Sequence, residues 1–144
     1  MQIQFDERGN LYPPRPIEIT DEDFEQHFVK DIKESETRQR LFSNFNSFVR
    51  DFQNQISPNF KVWINGSFIS KKVNPRDIDA VFLLDYTVCE RQQSILDNVW
   101  FSKTHKRHFI SHLNHLYWAD VYGHTRADNT GKNYRKGFIE LKYQ

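Results

Sequence analysis

Five consecutive apolar residues, 80–84, constrain the fold more than any other feature of this 144-residue chain. An apolar run without alternation predicts a strand that is buried on both faces of a sheet. Two aspartates, Asp77 and Asp79, stand just ahead of the run. Side chains two residues apart on a strand point to the same face, so we expect both carboxylates to project together. Carboxylates this close repel one another unless a cation lies between them.

A long amphipathic helix is predicted ahead of this strand, from about residue 34 to residue 55. Its apolar side chains recur three and four residues apart, and its opposite face is Arg, Gln, Asn and Ser. A shorter helix should precede it, with Thr20 as its cap and Asp23 in the acidic position of a capping box. The apolar face of the long helix contains Leu41, Phe45, Phe48, Phe52 and Ile56.

Alternating and turn-forming residues predict the elements on either side of the aspartates. Residues 61–67 are expected to form a strand that ends in a glycine turn, and residues 67–72 to form one helical turn. After the apolar run, Thr87 and Glu90 form a second capping box, which predicts a helix from Val88 to about residue 100.

The carboxyl-terminal third is expected to contain one more helix and two strands. Thr104 is the predicted cap of a helix that reaches Leu116. A strand is predicted over residues 117–124, a polar, glycine-containing loop over 127–137, and a half-exposed strand over 138–143, where apolar and charged residues alternate.

These elements predict an α+β fold in a single domain, 1–144, with a small mixed β-sheet and helices packed mainly on one face. Three prolines between residues 13 and 16 forbid a helix there. The predicted parts are an extended arm over 1–19, helices over 20–56, and a sheet core with helices over 60–144.

Composition limits the cellular setting and the partners. The net charge of +1 gives no general attraction to nucleic acid or to a membrane surface, so any basic site must be local. No run of about 18 apolar residues occurs, which predicts no membrane association. The single cysteine, Cys89, excludes an intrachain disulfide framework and fits a reducing compartment. We therefore expect a cytoplasmic protein.

Gly66 and Ser67 close the strand that should neighbour the aspartates. Glycine allows a ligand to approach the backbone closely, and a following helical turn offers free N–H groups to phosphate oxygens. Mg²⁺ is a hard cation that commonly binds one or two carboxylates together with substrate phosphates. Metal ligands on one strand end and a phosphate cradle on the next are what a phosphoryl-transfer enzyme requires.

These motifs resemble the nucleotidyltransferase superfamily typified by polymerase β, in which Gly-Ser is followed by Asp-x-Asp. The resemblance implies that Gly66 and Ser67 hold the triphosphate of an NTP, most often ATP, while Asp77 and Asp79 bind two Mg²⁺ ions, with Mn²⁺ as an alternative. A third carboxylate on a later strand completes the family's site. Asp120 is the candidate, because an aspartate within an apolar strand is disfavoured by propensity and requires a reason.

A second layer of motifs resembles small bacterial proteins with a minimal nucleotidyltransferase core. It comprises the amino-terminal F-D-x-x-G-x-L-x-P-P, W-x-N-G-S-F and N-P-x-D-I-D. These are similar, more distantly, to enzymes of toxin–antitoxin and phage-defence operons, some of which modify a partner protein. The resemblance implies transfer of a nucleotide to a protein, RNA or small-molecule hydroxyl, and a protein partner encoded in the same operon.

Departures from that pattern leave an alternative open. Arg76 stands where the toxin-linked enzymes often have serine. We also expect no second domain that would hold an acceptor, as larger members of the superfamily have. The alternative is a catalytically inactive subunit that acts through a protein partner, as an antitoxin or a regulator. Lys71, Lys72 and Arg76 are candidate triphosphate ligands, or else belong to a solvated loop.

Two further groups are weighed for function. His105, His108, His112 and His115 would share one helical face in a locally basic helix, and a polar or partner-facing surface outweighs a zinc site because no cysteine or interposed glutamate accompanies them. Nucleic-acid binding through that helix is a third hypothesis.

Near the carboxyl terminus, Arg135 and Lys136 would reach the nucleotide if the last strand lay beside the Asp120 strand. An ordinary exposed loop is the alternative. Cys89 is interpreted as a small core or boundary residue, although a position in the first turn of a helix favours a lowered thiol pKa.

Overall fold

The computed structural model describes residues 3–96, 108–111, 125 and 130–144; for residues 108–111 only the backbone is considered. Seven strands and three α-helices lie within this part of the chain. The strands are β1 (Gln4–Phe5), β2 (Leu11–Tyr12), β3 (Pro16–Glu18), β4 (Phe60–Asn65), β5 (Asp79–Leu84), β6 (His108–Ser111) and β7 (Phe138–Tyr143). The helices are α1 (Asp21–Glu25), α2 (Arg38–Gln55) and α3 (Tyr86–Ile95), and a π-helical turn spans Gln26–Lys30.

The architecture is mixed α+β, as the sequence predicts. The main sheet has five strands in the order β3-β7-β4-β5-β6, and β1 and β2 form a separate two-stranded hairpin. Within the main sheet β4 runs antiparallel to both of its neighbours, β5 and β7. The outer strands β3 and β6 run parallel to β7 and β5 respectively.

Helix α2 covers one face of this sheet through an aromatic core. The Phe52 ring lies 4.8 Å from the ring of Phe60 on β4 and 4.9 Å from that of Phe82 on β5. Phe48, one turn earlier, contacts Phe82 edge-on at 5.4 Å. The predicted apolar stripe therefore faces the sheet, and burial of these large rings supplies much of the driving force for folding.

Helix α1 starts as expected, whereas α3 starts at a different residue. Thr20 caps α1 as predicted, since its hydroxyl accepts a hydrogen bond of 3.1 Å from the Asp23 N–H. Helix α3 begins at Tyr86 rather than Val88, because the carboxylate of Asp85 accepts from the Thr87 N–H at 2.9 Å and serves as the cap. Asp85 directly follows the buried strand, so the chain turns into the helix at once.

The helix predicted between Thr104 and Leu116 is wrong over residues 108–111, which form strand β6. This segment pairs in parallel with β5, with Phe82 opposite Phe109. Pairing satisfies the backbone of an edge that β5 would otherwise leave open, and such a tertiary gain overrides local helical periodicity. The shared helical face of the four histidines is therefore also wrong, since His108 lies on a strand. His105, His112 and His115 are outside the described residues.

The remaining boundaries shift by a few residues. Helix α2 starts at Arg38 rather than residue 34, and β5 starts at Asp79 rather than Asp77. The predicted helical turn after β4 is present as a 3₁₀ turn over Ser67–Ile69. The predicted strand 117–124, with Asp120, lies outside the described residues. None of the helices in the described part of the chain has both the length and the apolar composition needed to cross a membrane.

Candidate functional site

Asp79 and Gly66 meet at one end of the central strand pair. In the antiparallel register Asn65, the last residue of β4, lies opposite Asp79, the first residue of β5. Gly66 follows with φ of 82°, a conformation that side chains disfavour. A Cβ atom on Gly66 would stand 2.5 Å from the Asp79 Oδ2 atom. Only glycine therefore fits here, and the carboxylate rests directly against the backbone.

Lys136 brings a positive charge to the same place. Its ammonium donates a hydrogen bond to the Asn65 side-chain carbonyl. Burial lowers the pKa of Lys136 to about 8, and the nearby Asp79 carboxylate acts in the opposite direction. A carboxylate, an amide and a half-buried ammonium thus share one corner of the sheet.

Lys136 reaches this corner from the loop ahead of β7. Among the described strands β7 lies between β3 and β4. The Asp120 segment is outside the described residues, so its position relative to the last strand stays a prediction. Gly137 anchors the loop ahead of β7 to the amino-terminal arm: its N–H donates to the Leu11 carbonyl at 2.8 Å, and a Cβ there would lie 2.5 Å from the Pro13 carbonyl oxygen. The glycine directly ahead of the last strand was the available sequence signal for this close approach.

Arg38 is a residue that the sequence pattern did not single out. It lies in the first turn of α2, where it looks like one member of the polar face, yet it is fully buried. Its guanidinium donates hydrogen bonds to the turn after β4, and burial lowers the pKa of Arg38 to about 10. The acceptors are the backbone carbonyls of Phe28, Ser67, Phe68, Ser70 and Lys72.

The predicted phosphate ligands occupy two different settings. Ser67 starts the 3₁₀ turn, and its carbonyl accepts from Arg38. Lys71 is held against the amino-terminal hairpin, with its N–H 3.4 Å from the Gly9 carbonyl and its ammonium 5.6 Å from the Phe5 ring centroid. Lys72 and Arg76 are exposed.

The two aspartates differ in environment. Asp77 is exposed and precedes β5, whereas Asp79 is half-buried within it. The strand alternation that was expected to align both carboxylates therefore begins only at Asp79. Their joint projection, and convergence with Asp120, stay predictions.

A divalent cation is compatible with the donors at this corner. Among the described residues no group of three or more His, Cys, Asp or Glu side chains is arranged to hold a metal ion, and Asp120 is not among these residues. The donors present, the Asp79 carboxylate and the Asn65 carbonyl, are oxygens of the kind that Mg²⁺ prefers. The donor chemistry therefore fits such an ion, at a place where the Asp79 Oδ2 atom lies 2.5 Å from the position of a Cβ on Gly66.

Cys89 belongs to the boundary of the core, as interpreted. It is half-buried on α3. Burial and, secondarily, the neighbouring Asp85 raise the pKa of its thiol, so the lowering favoured by a helix start does not occur.

The fold and this corner define a class: a small α+β domain with a carboxylate packed on a positive-φ glycine at the end of two antiparallel strands. The chain belongs to the family of unknown function DUF6932, which it matches over residues 3–142. No curated protein matches the chain. No solved structure matches it either.

Proposed function

We propose that this protein is a metal-dependent nucleotidyltransferase that moves a nucleotide from an NTP to a hydroxyl group. One observation carries the proposal: the Asp79 Oδ2 atom lies only 2.5 Å from where a Cβ of Gly66 would be, at the junction of β4 and β5. An acid of the type that binds Mg²⁺ and a turn without a side chain are thereby adjacent. The motifs that resemble the nucleotidyltransferase superfamily contain both residues.

The proposed roles follow from the chemistry of each residue. Asp79 and Asp77, with Asp120 as the third carboxylate, would hold Mg²⁺. Such an ion neutralises developing charge on phosphate oxygens and lowers the pKa of an attacking hydroxyl. Gly66 and Ser67 would orient the β- and γ-phosphates, and the fixed backbone would supply stabilisation without reorganisation.

The hydrogen bonds from Arg38 to the turn after β4, which we call the Arg38 clamp, support this assignment of roles. A catalytic turn must hold its geometry to within a fraction of an ångström, because small displacements cost large factors in rate. The buried guanidinium fixes the turn after β4 through its bonds to the Ser67 and Ser70 carbonyls. Ser67 is therefore held from the core side while its backbone N–H stays at the start of the 3₁₀ turn.

Label transfer tests the proposal. The wild-type protein is incubated with Mg²⁺, each α-labelled NTP and a bacterial extract as a source of acceptors. We expect transfer of label by the wild type and a loss on the order of 100-fold in Asp79→Asn, since a metal-binding charge is removed. Asp51→Asn is the matched control, because Asp51 is exposed on α2 and undergoes the same change of charge.

Asp77→Asn is read in the same experiment, and it is expected to reduce transfer as well. Equal transfer by wild type and Asp79→Asn, at equal folded fractions, would contradict the proposal. A chelator such as EDTA should abolish transfer by the wild type, and excess Mg²⁺ should restore it.

A second candidate function is a catalytically inactive subunit that binds a nucleotide or a protein partner. The Lys136 ammonium favours it, because a protein cation near Asp79 supplies the countercharge that a metal would otherwise supply. Under this alternative, equilibrium dialysis would detect NTP binding while no acceptor became labelled. Transfer that depends on Asp79 would exclude it.

A further inference from the structure

Positive charge is concentrated in two loops beside the site. Residues 66–76 and 130–137 together contain six Lys or Arg residues and no Asp or Glu, in a chain with a net charge of only +1. The first loop starts at Gly66, and the second contains Lys136, which bonds to Asn65. The basic residues therefore flank the Asp79 corner on two sides. They are Lys71, Lys72, Arg76, Lys132, Arg135 and Lys136.

The hairpin of β1 and β2 joins these loops into one surface. Its turn contacts the first loop through the hydrogen bond of 3.4 Å between the Lys71 N–H and the Gly9 carbonyl. It contacts the second loop through Arg8, whose guanidinium carbon lies 3.7 Å from the centroid of the Tyr134 ring. We call Arg8, Lys71, Lys132 and Tyr134 the basic surface.

Two cationic side chains lie close to the Tyr134 ring. In addition to Arg8, the Lys132 ammonium lies 5.4 Å from its centroid. Cation–π attraction offsets only part of the repulsion between two such charges. Glu7 is 3.5 Å from Arg8, but its side chain is 83% exposed and so screens the guanidinium weakly. Several neighbouring cationic side chains of this kind attract an anionic ligand.

We propose that the basic surface binds single-stranded nucleic acid. Lysine and arginine contact the phosphates, and the Arg8–Tyr134 stack provides a platform for an unpaired base, since guanidinium planes and aromatic rings both stack on bases. A duplex keeps its bases paired and cannot use such a platform. An acidic peptide would satisfy the charges, but its acidic residues have no flat ring to stack, whereas every nucleotide has both a phosphate and a base. The cations also extend over two loops and a hairpin, more than a single triphosphate requires.

This inference goes beyond nucleotide transfer and does not depend on it. A strand on the basic surface would pass beside Gly66 and Asp79, because Lys71 and Lys136 lie in the loops that flank that corner. If the transfer reaction takes place, the bound strand is placed to present its hydroxyl as the acceptor. Strand binding itself requires neither NTP nor a metal ion.

Fluorescence anisotropy with a labelled 20-nucleotide RNA of mixed sequence, and with the matching DNA, tests the inference. The titrations are made in EDTA, without nucleotide, between about 50 and 200 mM salt. The test variant is Arg8→Gln/Lys132→Gln. The matched control is Arg50→Gln/Lys142→Gln, which removes the same charge from exposed positions on α2 and β7. Thermal unfolding of each variant verifies that both remain folded.

We expect wild-type binding to fall steeply with salt, and the test variant to bind on the order of tenfold more weakly with a slope reduced by about 0.7 per lost phosphate contact. The control should bind like the wild type. Tyr134→Leu should weaken binding while leaving the salt slope unchanged, because it removes stacking and no charge.

Four results would overturn the inference. The first is no wild-type binding at the lowest salt, and the second is an equal loss in the control. The third is a hairpin duplex that binds as tightly as the single strand. The fourth is competition by free ATP as effective, per phosphate, as competition by unlabelled strand, which would assign the surface to the triphosphate. Because all of these measurements are made in EDTA and detect binding alone, a failure of nucleotide transfer would not affect their interpretation.

Discussion

Arg38 and Lys136 are both cations withdrawn from water beside the same site, and they differ in what surrounds them. The guanidinium of Arg38 is fully buried and donates to the carbonyls of five residues. The ammonium of Lys136 is half-buried, donates to Asn65 and lies near the Asp79 carboxylate. The hydrogen-bond donors of Arg38 are therefore satisfied by backbone carbonyls whose positions are fixed by the fold. The Lys136 ammonium is paired with side chains that a ligand could engage.

Arg38 is thus a cation held entirely by backbone carbonyls, whereas Lys136 is held by side chains. With its pKa lowered only to about 10, Arg38 stays protonated at neutral pH. A pKa of about 8 places Lys136 close to titration in the range where enzymes work. Burial alone therefore does not distinguish the two cations; the identity of their hydrogen-bond partners does.

The largest effect should come from Arg38→Met. The substitution leaves several buried carbonyls without a donor, so we expect the free energy of unfolding to fall by at least about 3 kcal/mol. Urea denaturation measures it. Arg40→Met is the control, since Arg40 is exposed on the same helix and should change stability by no more than about 0.5 kcal/mol. Similar losses in the two variants would contradict the role of Arg38 as the clamp on the turn.

An intermediate loss of stability is expected from Gly66→Ala, which changes the corner of the sheet that contains Lys136. The new Cβ would meet the Asp79 Oδ2 atom at 2.5 Å, in a backbone conformation already unfavourable for alanine. Gly131→Ala is a close control, because Gly131 has φ of 80° and nothing within 4 Å of its Cβ position. Both should lose roughly 1 kcal/mol from the backbone, and Gly66→Ala at least about 1 kcal/mol more from the clash.

The same pair of variants also tests the site. Only Gly66→Ala should reduce label transfer, because only it displaces Asp79. Equal stability and equal transfer in both variants would show that the Asp79 carboxylate does not rest against this glycine.

The smallest effect concerns pH and Lys136. Between pH 8 and 10.5 the folded Lys136 binds fewer protons than the unfolded chain, so the free energy of unfolding rises with pH through this window. We expect the wild type to gain stability relative to Lys136→Met by up to about 1 kcal/mol per pH unit between pH 8 and pH 9.5. Urea titrations at several pH values measure the difference. A difference that stays constant with pH would show that the ammonium is not buried.

Arg38 provides the reference for that experiment. Because the pKa of Arg38 is lowered only to about 10, its titration raises the free energy of unfolding only above about pH 10. That is outside the pH range of the urea titrations. The stability difference between wild type and Arg38→Met should therefore be independent of pH between 7 and 9. A stability difference that changed with pH between 7 and 9 would contradict the proposed difference between Arg38 and Lys136.

Local patterns were enough for the elements whose signals are strong. The aromatic stripe of α2, the apolar run of β5 and the alternation of β7 each appear where the periodicity indicated. The Thr20 cap and the 3₁₀ turn after Gly66 were also predicted, because capping and turn chemistry depend on neighbouring residues. The approach of Gly66 to Asp79 needed one further step, the pairing of β4 with β5.

Tertiary contacts decided what local patterns could not. Strand β6 forms because β5 offers it a parallel partner, although its histidine spacing suits a helix. Asp85 and Thr87 both have the chemistry of a cap, and the point where β5 ends selected Asp85.

In the candidate site, too, local sequence predicts some residues and tertiary contacts bring in the others. The sequence by itself determined the acids, the glycine and the serine, because their chemistry is written in residue type and spacing. Only the tertiary structure brought Lys136 to Asn65 across 71 residues and placed Arg38 beneath the turn, 30 residues from Phe68. Such contacts depend on which strands become neighbours, and that follows from the packing of the whole chain rather than from any one segment.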